Sequence, residues 1–179
     1  TVYFNSDFNI SGLSVIHKFK PEIAHEILKK YSFYSLANAY ISDKLPIKTL
    51  NKIDSALASK IINFSHEKII DKLKKLQIDI ICSKIAGYKN YNIEYSNKLL
   101  NDLGLEFLIN KSKNEDIDSL IEGLSHLYEV NSLWAQTILN INLDFIQSEF
   151  DDSSTYLFFT NYITIIEKID HESARKIYL

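Results

Sequence analysis

The sequence predicts an all-α protein, an α-solenoid of about five helical repeats of 34–39 residues each. Three observations carry this. A motif of one small residue, two intervening residues and an apolar pair recurs at Ala24 to Leu28, Ala58 to Ile62, Ser96 to Leu100, Ala135 to Leu139 and Ala174 to Tyr178, with anchors spaced 34, 38, 39 and 39 apart. Upstream of each anchor the same apolar positions return. Finally, 179 residues contain four Gly and two Pro, too few for a turn-rich β protein and suited to helices joined by tight corners.

The first helix of each unit is read from positions eleven, eight and five before the anchor: Leu13, Ile16 and Phe19; Ile47, Leu50 and Ile53; Ile85, Tyr88 and Tyr91; Leu124, Leu127 and Val130; Ile163, Ile166 and Ile169. Steps of three trace one apolar stripe of a helix. Four before the anchor stand Lys20, Asp54, Asn92, Asn131 and Asp170. A carboxylate or amide oxygen there can accept from the first free N–H groups of a second helix. Lys20 cannot, but Pro21 follows it and suits a first helical position. Second helices are thus expected near Pro21 to Lys30, Ser55 to Ile62, Ile93 to Leu100, Ser132 to Leu139 and His171 to Leu179.

A short third element is expected next. Asn63, Asn101 and Asn140 can close the second helices, since Asn tolerates the left-handed conformation. Ser32, Ser65, Gly104 and Asn142 sit where a new cap is wanted, with Leu36, Ile69, Leu108 and Ile146 four residues on. The implied boundaries are one solenoid domain over 1–179 with repeats near 8–45, 46–76, 77–115, 116–155 and 156–179. A unit this small cannot bury its own apolar face, so the stack is the folding unit. No polar outer face closes either end, and Met is absent, so a piece of a longer array is expected, its last helix presenting Ile177, Tyr178 and Leu179 for self-association.

No apolar run approaches the roughly 18 residues a membrane crossing needs, and Cys82 alone permits no internal disulfide and reads as a small core residue. A cytoplasmic location is the expectation. No Gly-x-x-x-x-Gly-Lys run is present, and the five histidines never pair at ligand spacing. Asn114 to Asp118 lacks the glycine and third ligand of a calcium loop, and its acids suit the start of a helix near Ile117. Trp134, in an apolar stretch beside Ala135, reads as packing between repeats. Catalytic, cofactor-binding and metal sites are therefore expected to be none. Tyr31, Tyr34 and Tyr40 cluster near the first short helix and can line a binding surface.

An apolar-rich helix, then Asn or Asp, then a small-x-x-apolar-apolar helix, as in Leu124 to Leu139 and Ile163 to Tyr178, resembles the degenerate HEAT/armadillo-like repeats that follow the NTPase core of prokaryotic STAND-type signalling ATPases. The resemblance covers Phe8 to Leu179. It implies an array that senses a ligand or foreign protein and controls assembly of an ATPase located outside this segment.

Charge adds direction. Residues 1–100 carry a balance of +6 and residues 101–179 one of −9. Much of this gradient sits in the segments joining units, where binding is most freely specified. Lys72, Lys74 and Lys75 on one side and Asp116, Asp118, Asp151 and Asp152 on the other are the candidate partner-binding residues, an edge to be matched by a protein of opposite gradient. A nucleic-acid-binding HEAT-like protein using the basic first half is the alternative. Almost no Arg and a pI near 5.9 weigh against it.

Overall fold

The computed structural model describes residues 11–90, 92–152 and 156–178, with the backbone alone at 11, 14, 151, 152, 156–159 and 178. Among these, thirteen helices and no strand are found. By its contacts the chain forms two compact units, Thr1–Asp71 and Lys72–Leu179.

In the first unit, α1 (Ser11–Phe19), α2 (Pro21–Lys29), α3 (Phe33–Ile41) and α4 (Ile47–Ile53) precede α5 (Ser55–Leu73). Both α1 and α2 pack on α4, and on each other. The second unit holds α6 (Ile78–Lys89), α7 (Ile93–Leu103), α8 (Leu105–Ser112), α9 (Ile117–Val130), α10 (Ser132–Ile141), α11 (Leu143–Asp152), α12 (Tyr156–Ile169) and α13 (His171–Tyr178). There α6 packs on α9 and α9 on α12, while α7, α10 and α13 each pack on the helix before them.

Five corners share one construction. The residue four before each anchor donates its N–H to the carbonyl four residues back: Lys20 to Ile16, Asp54 to Leu50, Asn92 to Tyr88, Asn131 to Leu127 and Asp170 to Ile166, at 2.7–2.8 Å. Its own carbonyl then accepts from the anchor N–H at 3.0–3.3 Å. Lys20, Asp54, Asn92 and Asn131 hold φ between −146° and −154°, extended enough to end one helix and start the next. The side chains of Asp54, Asn92 and Asn131 cap the new helix by accepting from the N–H of Leu57, Tyr95 and Trp134 at 2.9–3.1 Å. At Lys20 no side-chain cap forms and Pro21 opens the helix.

The anchors lie in the core. Ala24, Ala58, Ser96 and Ala135 are fully buried and Ala174 nearly so, as are the residues eleven before them, Leu13, Ile47, Ile85, Leu124 and Ile163. Where the anchor is Ser96, its hydroxyl donates to the Ile85 carbonyl at 2.8 Å, so a polar atom enters the core already paired. Leu36, Ile69, Leu108 and Ile146 are buried as well. Gly123 marks a close approach: a Cβ there would stand 3.0 Å from Ile78 Cγ2 and 3.2 Å from the Asp79 backbone nitrogen, so α6 crosses α9 where a side chain is missing.

Three expectations are corrected. Ser55 to Ile62 is not a separate helix, because α5 continues to Leu73 with Asn63 and Ser65 inside it. Ile61, Ile62, Ser65, His66, Ile69 and Ile70 form one unbroken buried stripe, and no Gly or Pro interrupts it. Asn101 and Asn140 are likewise interior. Gly104, at φ 82°, closes α7 in a conformation open to glycine, and Asn142 closes α10. Phe19 is 73 % exposed rather than core. α9 packs against α6 and α12, whereas α1 packs on α2 and α4. Tyr91 and Leu179 lie outside the described residues, as does the side chain of Tyr178.

Candidate functional site

The lysines singled out by sequence cluster at the end of α5. Lys72 is half-buried in its last turn, and Lys74 and Lys75 stand exposed in the turn leading to α6. That turn is closed by the N–H of Lys75 donating to the Lys72 carbonyl and that of Leu76 to Leu73, at 3.2 and 3.0 Å. The acids open α9. Asp116 is its N-cap, accepting from the Ser119 N–H at 2.8 Å, and Asp118 lies exposed in its first turn. The hydrogen bond from Ser119 holds the Asp116 carboxyl below its ordinary range, against a smaller opposing effect of burial. One residue earlier, Glu115 pairs with Lys111 at 3.4 Å. The two groups therefore lie at the entries of α6 and α9, helices that pack on one another. Asp151 and Asp152 end α11, with side chains outside the described residues.

The tyrosine group divides. Tyr40 is buried and Tyr31 half-buried, whereas Tyr34 is 66 % exposed. Tyr34 belongs instead to a cluster that sequence reading misses. Phe33, Tyr34 and Phe64 meet pairwise edge-to-face, with ring centroids 5.2–5.8 Å apart and planes 74–79° apart. Phe64, 46 % exposed, lies on the outward side of α5 between Lys60 and Lys68, both exposed and each four residues away on the same face. The signal in the sequence was this four-residue step, hidden because a helix break was expected at Asn63.

Helices of the second unit that do not follow one another in the chain are tied by polar side chains. Asn142 Nδ2 donates to Ser112 Oγ at 2.9 Å, Gln136 Nε2 to the Ile169 carbonyl at 2.9 Å, and Ser173 Oγ to Asn140 Oδ1 at 2.9 Å. Lys89 Nζ donates to the Glu129 carbonyl, joining the ends of α6 and α9. On the outer side of α10, Leu133 and Ile141, eight residues apart, are 67 % and 46 % exposed.

The remaining polar groups show less. Cys82 is buried in α6, its thiol pushed up to about 12, first by burial and then by Asp79. His126 and His171 each sit one turn from a glutamate, Glu122 and Glu167. Among the described residues no three His, Cys, Asp or Glu side chains converge as a metal site would need, and no helix is long and apolar enough to cross a membrane.

The chain matches no family model, curated protein or solved structure with which it was compared.

Proposed function

We propose that the chain is a non-catalytic helical-repeat scaffold that binds a protein partner, the sensor part of a STAND-like signalling ATPase whose NTPase core lies outside this segment. The observation that carries the scaffold reading is the corner made five times with the same two backbone hydrogen bonds around a buried small residue. Such a unit spends its chemistry on stacking and leaves its outward helix faces and joining turns for recognition.

Lys72, Lys74 and Lys75 and the acids Asp116, Asp118, Asp151 and Asp152 are the charged edge of that surface, steering a partner of opposite gradient into one register. The test has two arms. Reversing the three lysines to Glu slows association with the partner and weakens its salt dependence. A fluorescent oligothymidine and a random duplex, titrated at about 0.15 M salt, report the alternative. Tight binding of either, abolished by the lysine reversal, replaces the protein partner with nucleic acid. The coding sequence around the segment tests the ATPase link, because a P-loop upstream supports it and its absence overturns it.

A further inference from the structure

We propose that the cluster of Phe33, Tyr34 and Phe64, with Lys60 and Lys68 beside it, docks an acidic peptide segment carrying an aromatic or leucine anchor. The proposal rests on the scaffold reading and deepens it by naming a surface and the chemistry of its occupant.

The rings are built for contact. Two large aromatic side chains, Tyr34 and Phe64, keep 66 % and 46 % of their surface in water on one face of the first unit. Phe33, half-buried, backs both in perpendicular contact. Rings held by one another give up little rotamer freedom on binding, and aromatic anchors of this kind carry most of the energy at protein interfaces. Tyr34 adds a hydroxyl at the rim that can hold a polar group of the incoming segment.

Charge selects the occupant. Lys60, Phe64 and Lys68 share one row of α5, and Lys30, the exposed C-cap of α2, stands three residues before Phe33. Lys29 is neutralised by Glu26 at 3.1 Å. Against these three lysines stand two exposed acids of α5, Glu67 on the adjoining row and Asp71 two turns beyond Phe64. The surround is therefore net positive and matches carboxylates flanking an apolar anchor. A second copy docking by the same patch would set lysine against lysine. Single-stranded nucleic acid favours ring faces set to stack successive bases, and here the three rings stand at 74–79° to one another and offer no parallel series of faces.

The test is a displayed library of random peptides panned on the whole chain, counter-selected on a Tyr34→Ser/Phe64→Ser variant whose helicity is checked by circular dichroism. Enriched sequences should carry Phe, Trp or Leu flanked by Asp or Glu. The most enriched peptide, resynthesised and measured by fluorescence anisotropy, should weaken by about tenfold or more with Phe64→Ala. Lys60→Glu/Lys68→Glu should cause a similar loss, and Lys60→Arg/Lys68→Arg should retain binding. Enrichment no greater than on the counter-selected variant, or enrichment of basic sequences, overturns the proposal. So does oligothymidine binding that Phe64→Ala abolishes, or a dimer in sedimentation that Phe64→Ala dissociates. Acidic peptides that bind but ignore the ring variants overturn this site while leaving the scaffold standing. Loss of the scaffold reading is seen separately, in the lysine reversal at 72, 74 and 75.

Discussion

Asn142 and Ser112, thirty residues apart, are joined inside the second unit: Asn142 Nδ2 donates to Ser112 Oγ at 2.9 Å, and both side chains are buried. The same amide also donates to the Ile138 carbonyl at 2.8 Å, and the Ser112 hydroxyl donates to the Ile109 carbonyl at 2.8 Å. A polar chain thus crosses from α10 to α8 with its donors used. Removing one member strands the others away from water. Asn142→Leu should cost about 1–3 kcal/mol in urea unfolding. The pair Asn142→Leu/Ser112→Ala should cost less than the sum of the single changes, because residues in one network do not add. Additive losses would show that the two side chains act independently.

The anchor positions predict a second outcome. Ala135 is fully buried where α10 meets α9, and Ala135→Leu should overpack that contact by about 1–3 kcal/mol. Gly123→Ala tests the facing crossing. Its added methyl would meet the backbone of Ile78 and Asp79 at 3.2 Å, so α6 itself must shift. The equivalent Gly12, also twelve residues before its anchor, has open space at its Cβ. Gly12→Ala, in the first turn of α1, should therefore leave stability unchanged or raise it, since Ala has less backbone freedom than Gly to lose on folding. Equal thermal shifts for the two alanines would refute the close approach at Gly123.

A third prediction concerns Cys82. Its thiol is held protonated up to about 12 in the fold, whereas the unfolded chain ionises near pH 8.5. Above that pH the unfolded state releases a proton that the native state keeps, so stability falls as pH rises, by up to about 1.4 kcal/mol per pH unit. Cys82→Ala should remove this component. The difference between parent and variant, measured in urea between about pH 8 and 9.5, should slope downward for the parent. Because the thiolate is the reactive form, the native thiol should resist alkylation until the chain is unfolded.

The corners were legible because they depend on near neighbours. Apolar steps of three, an Asn or Asp, and a small residue four later suffice to place a cap and a buried anchor, and Asp54, Asn92 and Asn131 cap as their side chains allow. Helix ends depending on longer packing were not. Ser65 and Asn63 look like a break in isolation, yet the buried row from Ile61 to Ile70 holds α5 together through them. The aromatic cluster was hidden for the same reason, since Phe64 meets Phe33 and Tyr34 across thirty residues of chain. Asn142, expected at a cap, also serves as a buried donor to a helix thirty residues earlier, which periodicity within a single helix does not show.

Asp116 offers a way to separate its folding role from the proposed binding role. Its carboxylate caps α9 through the Ser119 N–H, and that bond lowers its pKa. A lowered carboxyl pKa stabilises the fold at pH values above the unfolded value of about 3.9, and the stabilisation is lost as pH falls through the folded value. The side chain is almost wholly solvated, so the effect is small. Asp116→Ala should cost about 0.5–2 kcal/mol at neutral pH. Asp116→Asn, whose amide oxygen can still accept from Ser119, should cost less and should flatten the acid limb of the stability profile below about pH 5. Association rates of the two variants separate the roles. If the negative charge steers the partner, Asp116→Asn slows association as much as Asp116→Ala does, although the helix start is kept. Stopped-flow association at low and moderate salt decides this. A rate unchanged by Asp116→Asn and slowed by Asp116→Ala would confine the residue to capping and remove it from the partner-facing edge.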